Sequence, residues 1–577
     1  MVDSSIHFRI SFIEPQAHYV EVEVIINNFT QEFVNLKMPV WTPGSYLIRE
    51  YARHVESLTA SVDSELVRSE KINKNTWRIK NKKGTLRVRY RVYGFEVSVR
   101  TNFIDIDHAY LNPAATFMYI EGAINHASTV EIILPEYWKK ISTGLPQQNS
   151  KPNTFLAENF DILFDTPIEI GNQDTWTFDA AGVQHEFAMV GGGDYNKNKL
   201  TQDVTRIVEV ETELWGENPN DRYVFITHNR HHGSGGLEHL NSTVLGATRF
   251  AYNIESSYKS YLSLIAHEYF HLWNVKRLRP KALGPFDYDN ENYTEGLWIM
   301  EGFTSYYDNL IIRRCGFFSV KEYLNALANE FNLVYNRPGH QLQSAAQASF
   351  DTWIKQYRPD ENSQNSGISY YNKGAMHAVA LDIEILAQTG GAKRLDNVLR
   401  AAYEKFYKNE ARGFDEDEFL NLAETVTGVS LSKIFEAAHN STEIDYNKYF
   451  YKVGYKLINV LQGSRELHLG IKTNVQDGRM FVKNVERDSS AWHAGLNVDD
   501  ELIAINGNRI DMAGKEIDYI LSNGQADDIV DTLISRDGRV RTIHMPLWEN
   551  TKKQWIIEEN KEASAQEKLL GNIWLSI

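Results

Sequence analysis

The feature that most restricts this chain is the pentapeptide His267-Glu268-Tyr269-Phe270-His271. On a helix, residues four apart stand one above the other, so two imidazoles can reach one metal ion, with the Glu268 carboxylate beside them to take a proton from water. The flanks supply that helix. Tyr258, Leu262, Ile265, Tyr269 and Leu272 recur at steps of four and three and form one apolar stripe, from which His267 and His271 are displaced. Ser256 or Ser257 is the expected cap. A core helix with hydrogen-bonded histidines would carry the same letters, so the choice between the two rests on a third ligand.

Catalytic zinc takes three protein ligands and keeps one position open. Glu291, Glu295 and Glu301 follow His271. Glu291 lies in the polar run DYDNENY, and Glu295 in the opening turn of a helix, where an acid is expected for the dipole alone. Glu301 falls mid-helix among Ile299, Met300 and Phe303, where an unpaired carboxylate is costly. It is the expected third ligand to one zinc ion per chain. Asp308, two turns on and on the same face, is placed to orient a ligand histidine.

The rest of the chain needs several cores: it has 577 residues, of which 42% are hydrophobic. Strand-length runs such as HFRISF, HYVEVEVIINNF, TLRVRYRVYG and STVEIILP mark residues 1–165 as an N-terminal β-sheet domain. Residues 166–449 read as a catalytic domain, mixed α/β to about 245 and helical after it; TRIVEVETELWG suits a helix and DRYVFITHNR a strand. One later helix is expected from a Thr294 cap to Gly316, and another to close at Gly390-Gly391. Residues 450–548 return to strands and turns, and 549–577 read as a charged helical tail. His228, His231 and His232 lack zinc spacing and are read as a polar loop. The expected class is multidomain α+β.

Composition removes other classes. A net charge of −16 argues against nucleic acid as a partner. The single cysteine, Cys315, excludes an intramolecular disulfide framework and is read as a packing residue. No apolar stretch reaches membrane length. The first residues lack a basic segment followed by an apolar run, so the cytoplasm is the expected compartment, or the periplasm or exterior had a leader been removed.

Trp298-Ile299-Met300-Glu301-Gly302-Phe303-Thr304-Ser305-Tyr306-Tyr307 resembles the W-x-x-E-G-F-x-x-Y segment of gluzincin aminopeptidases. The run from His267 through Leu272-Trp273-Asn274-Val275-Lys276-Arg277-Leu278-Arg279-Pro280, with the longer gap to Glu301, resembles the extended motif of the glycyl aminopeptidase family, PDZ-bearing relatives of aminopeptidase N. So does the stretch from Trp41 to Tyr51, whose letters alone say only a Pro-Gly turn. The resemblance covers nearly the whole chain. It implies a thermolysin-like zinc peptidase domain that removes N-terminal residues, small ones such as Gly and Ala, from peptides with a free N-terminus.

Two more positions take roles from that resemblance. Gly235-Gly236-Leu237-Glu238-His239 is similar to the substrate-binding Gly-Ala-Met-Glu-Asn segment, departing from it at Gly236, Leu237 and His239. This implies that Gly235 and Gly236 line the substrate and that Glu238 pairs with its α-ammonium, a charge-assisted contact an exopeptidase needs. Tyr371-Asn372-Lys373-Gly374 looks like the family's Tyr-x-Lys-Gly, which implies a phenol donating to the oxyanion, a contact typically worth ~2.7–4 kcal/mol.

Leu469-Gly470-Ile471 and the later AGLNVDDELIAING look like a PDZ domain of the bacterial protease-associated type. The loop Leu469, Gly470, Ile471 would present backbone N–H groups to a C-terminal peptide ligand. The chain's own end, Trp574-Leu575-Ser576-Ile577, alternates as such ligands do, although a terminal strand packed on the core is the plainer reading. Two other functions fit parts of the sequence. One is a zinc endopeptidase, for which Glu238 is irrelevant; the other is a non-catalytic PDZ scaffold, which would have no reason to retain Glu268.

Overall fold

The computed structural model describes residues 6–27, 29–148 and 151–576. In the N-terminal part, alternation in sequence becomes two-faced strands. Tyr19–Ile26 buries every second residue and lies between Ile6–Ser11 and Leu86–Tyr93 in a seven-stranded sheet. Phe8, Val22, Trp77, Ile132 and Phe160 share its core. The last strand, Ile168–Gly171, pairs with Ala109–Leu111 and Lys140–Thr143, so the sheets of this part close beyond residue 165.

The middle part opens with a five-stranded sheet in the order Asp174–Ala180, Val183–Val190, Arg222–Arg230, Ser242–Thr248, Gly236–Glu238. The expected helix at TRIVEVETELWG is Lys197–Trp215, the crossover between two parallel strands. Gly236–Glu238 is the edge strand, antiparallel to Ser242–Thr248 and open on its other side among the described residues. His228 departs from the polar-loop reading. It is buried in Arg222–Arg230, while His231 and His232 are exposed.

His228 joins a seam between the two parts. Its Nε2 lies 2.8 Å from one oxygen of the fully buried Glu169, and His108 Nδ1 lies 2.7 Å from the other. Burial opposes a charge on Glu169, but His108 and His228 outweigh it and hold the carboxyl below its ordinary range. Burial also lowers His228, whereas for His108 the Glu169 charge outweighs burial and raises it.

The motif helix, Glu255–Phe270, carries the expected stripe inward: Tyr258, Leu262, Ile265, Tyr269 and Leu272 are all buried. Its cap is Ile254, with no side-chain capping bond; Ser256 and Ser257 lie inside the first turn. The glutamate helix is Leu297–Arg314, capped at Gly296, and Thr294 Oγ1 instead accepts from the Gly296 N–H at 3.1 Å. The tyrosine helix, Tyr370–Gln388, ends ahead of Gly390 and Gly391, which both have positive φ. These last two helices meet backbone to backbone. A Cβ placed on Gly302 would stand 2.4 Å from the Gly374 Cα, so neither position admits a side chain without separating them.

The PDZ part has its own small core around Val482, Ile505 and Ile534. Leu469 is buried, Gly470 has φ of 77°, and Ile471–Gln476 is the edge strand of its sheet. It is fastened to the loop of the middle part ahead of the tyrosine helix. Asn365 Nδ2 donates to Val485 O at 2.8 Å and Asn365 Oδ1 accepts from Arg487 N at 2.8 Å.

The chain end corrects two expectations. Trp555–Glu559 is a strand, paired with Tyr455–Asn459, and only Ala565–Trp574 is helical. Trp574 and Leu575 are buried in the core of the middle part, where Trp574 Nε1 donates to Tyr306 Oη at 3.0 Å. An indole able to bury its rings and satisfy its N–H gains more there than in an open PDZ groove. Ile577 lies outside the described residues. Cys315 is free and buried, as a packing residue should be. No helix among the described residues is long and apolar enough to cross a membrane.

Candidate active site

The end of the motif helix, the glutamate helix, the tyrosine helix and the edge strand converge on one cavity of about 410 Å³. His267, Glu268, His271, Glu301, Asp308, Tyr371, Glu238, Gly235 and Gly236 all line it, so the catalytic-domain residues singled out from the sequence come together. Glu295 does not: it is exposed and near His439.

His267 and His271 are oriented through their Nδ1 atoms. His271 Nδ1 lies 2.7 Å from the Asn274 carbonyl, and His267 Nδ1 lies 3.1 Å from Asp308 Oδ2. A carbonyl can only accept, so His271 Nδ1 carries hydrogen and a neutral ring presents a lone pair at Nε2. Asn274 also ties this turn to the glutamate helix, its Nδ2 donating to Met300 O at 2.8 Å.

His267 Nε2, His271 Nε2 and Glu301 Oε2 then face one another at separations of 3.1, 3.1 and 3.8 Å. A cation resolves the repulsion of these converging lone pairs. Tetrahedral zinc with bonds of ~2.0–2.2 Å requires ligand separations of ~3.3–3.5 Å, a range that the observed 3.1–3.8 Å spans. The donor set therefore suits a zinc ion. Burial alone would raise the Glu301 carboxyl, but the two imidazoles outweigh it and hold it well below the usual carboxylate range.

Around this triad lie two carboxylates with buried, partnerless oxygens, Glu268 Oε2 and Glu238 Oε1. Burial pushes Glu268 up to about 7, with Glu238 and Glu301 adding to the rise and the two histidines opposing it. The edge strand passes close over Glu268: a Cβ on Gly236 would stand 2.1 Å from Glu268 Oε1, so a side chain there would have to displace that carboxylate. Gly44 meets Glu238 in the same way, at 2.4 Å, so the Trp41-to-Tyr51 stretch is a wall of this site and more than a turn.

Tyr371 stacks near the His267 ring, with centroids 6.5 Å apart. Burial, Glu301 and its neighbouring tyrosines raise its phenol well above the ordinary value, so it stays a donor. Tyr370 points elsewhere, to Thr352 at 2.9 Å. Two polar lining residues escape sequence reasoning. Tyr357 places its hydroxyl 3.3 Å from that of Tyr371, and Arg100 reaches in from the N-terminal part. Both come from loops without local motif.

Family models match this arrangement along the chain. A peptidase M61 N-terminal domain matches residues 7–172, M61 glycyl aminopeptidase residues 260–377, and a PDZ domain residues 468–547. A crystal structure of an aminopeptidase N family protein from Idiomarina loihiensis is 30% identical, spans 99% of this chain and 100% of its own, and superposes with a TM-score of 0.92. The chain belongs to the M61 glycyl aminopeptidase family. As an M61 protein it is a metallopeptidase carrying a PDZ domain. An M1 zinc metallopeptidase from Deinococcus radiodurans, solved as a mutant bound to Tyr-Ser-Ala, shares the fold at 14% identity, with a TM-score of 0.50 over 76% of this chain and 94% of its own. Among curated protein sequences, none matches this M61 chain.

Proposed function

We propose that this protein is a zinc-dependent aminopeptidase that removes small N-terminal residues, Gly and Ala, from peptides with a free N-terminus. The observation that carries the reading is the pair of partnerless buried oxygens, Glu238 Oε1 and Glu268 Oε2, beside the His267, His271, Glu301 triad. One awaits a cation from the substrate and the other a proton from water.

His267, His271 and Glu301 would hold a zinc ion, which would supply Lewis acidity at the scissile carbonyl and acidify the attacking water. Glu268 takes that water's proton and delivers it to the leaving amine, a role for which burial, by raising its carboxyl above the ordinary range, prepares it. Tyr371 donates to the developing oxyanion. Glu238 receives the α-ammonium and thereby fixes cleavage one residue from the N-terminus. The wall at Gly44, packed close against Glu238, favours a small first side chain. In the PDZ part, the free edge Ile471–Gln476 suits a peptide C-terminus added as a strand.

Hydrolysis of Gly- and Ala-p-nitroanilide beside their N-acetylated forms tests this reading. Cleavage of the free amines only, abolished by chelator and restored by zinc, is expected. Equal cleavage of the acetylated forms would instead make the protein an endopeptidase. The Glu268→Gln variant should keep its zinc and lose ~10²–10⁴-fold in kcat.

A further inference from the structure

Arg100 is a charge for which the proposed reaction has so far had no use. Its backbone is fixed: Arg100 O accepts from Tyr51 Oη at 2.8 Å and from Asn112 Nδ2 at 3.2 Å. Its guanidinium enters the active-site cavity beside Tyr357 and Tyr371. There its Nη2 donates to Gly236 O at 3.2 Å, the one hydrogen bond of its side chain among the described residues, and its Nε is buried without a partner. Guanidinium groups present five donors in a planar fork that fits a carboxylate.

The spacing identifies which carboxylate. Glu238 and Gly236 are the two ends of the edge strand. At a strand rise of ~3.3 Å per residue they stand ~6.6 Å apart, the length of two extended residues. A substrate running antiparallel along this open edge, with its ammonium at Glu238, brings the end of its second residue to Gly236 and Arg100.

We infer that Arg100 receives the C-terminal carboxylate of a dipeptide, so that Glu238 and Arg100 together grip both termini and make dipeptides the preferred substrates. This rests on the aminopeptidase reading and adds a far boundary to it. A tripeptide carries its carboxylate one residue past Arg100, and an amide or anilide carries none.

The test compares Gly-Ala, Gly-Ala amide, Gly-Ala-Ala and Gly-Asp amide, with Gly-p-nitroanilide as the reference for aminopeptidase activity. The wild type should prefer Gly-Ala over Gly-Ala amide by at least about tenfold in kcat/KM, through KM, as expected for a charge-assisted contact. Gly-Ala-Ala should resemble the amide. Arg100→Gln should bring the ratio close to one, and Arg100→Lys should restore part of it. Calorimetric binding of Gly-Ala and its amide to Glu268→Gln protein, with Arg100 intact, should show the same preference without turnover.

Cleavage of Gly-p-nitroanilide with no dipeptide preference overturns the Arg100 assignment and leaves the aminopeptidase standing. A ratio unchanged in Arg100→Gln overturns it as well. Gly-Asp amide exceeding Gly-Ala amide tenfold would assign Arg100 to an acidic side chain instead of a chain end. Cleavage of none of the five by zinc-loaded protein overturns both readings.

Discussion

His267, His271 and Glu301 on one side of the molecule, and His108, His228 and Glu169 on another, are the same three side chains set to different work. In the first group the Nδ1 atoms are turned outward to Asp308 and Asn274, so both Nε2 atoms face one carboxylate oxygen at 3.1–3.8 Å. In the second, each imidazole lies at hydrogen-bond distance, 2.7 and 2.8 Å, from its own oxygen of Glu169. The first leaves converging lone pairs that suit a cation, and in the second each imidazole is hydrogen-bonded to the carboxylate. Composition does not separate a metal centre from a buried ionic seam. What differs is the arrangement: two Nε2 atoms share one oxygen in the first group and take separate oxygens in the second.

The strongest way to break this contrast is Glu301→Gln. Zinc content should fall from one per chain toward none and hydrolysis to that of the chelated protein, while mass spectrometry of Glu169→Gln should find zinc unchanged. Glu169→Gln should act on the fold instead. Leaving His108 and His228 buried without their shared acceptor is expected to cost ~3–5 kcal/mol in denaturant unfolding, and zinc retention with a large stability loss is the signature sought. Asp308→Asn is milder. It keeps a partner for His267 but weakens the hold on the ring, so zinc affinity in a competing chelator should drop ~10–100-fold.

The smallest effect is in pH. Glu169 is lowered on folding, so its share of stability is full above the ordinary glutamate value and is lost as pH falls through the lowered one. His108 is raised, so its share is present below the ordinary histidine value and fades as pH climbs through the raised one. Thermal unfolding followed across pH should show a shallow maximum between these limits, flattened in Glu169→Gln. A profile identical in both proteins would remove the seam from the account.

The candidate metal group was readable in the letters because its members belong to two local helical motifs. Helical spacing sets His267 against His271, and an acid amid Ile299, Met300 and Phe303 is stable there only with a partner of opposite charge. The seam was not readable: His108, Glu169 and His228 come from three segments far apart in the chain, which only sheet register brings together. Arg100 and Tyr357 were hidden for the same reason, being loop residues whose neighbours are set by packing. The charged flavour of residues 549–577 concealed Trp574, since one buried indole settles where a segment docks and its exposed neighbours set the composition.

The contact of Gly302 with Gly374 has a wider consequence. Glu301 and Tyr371 stand near these glycines on two crossing helices, so the distance between ligand and phenol is gauged by main chain against main chain. Main chain has no rotamers. The gauge therefore keeps its setting when surrounding core side chains are exchanged or repacked, and the spacing of the site is insulated from most of the protein that supports it.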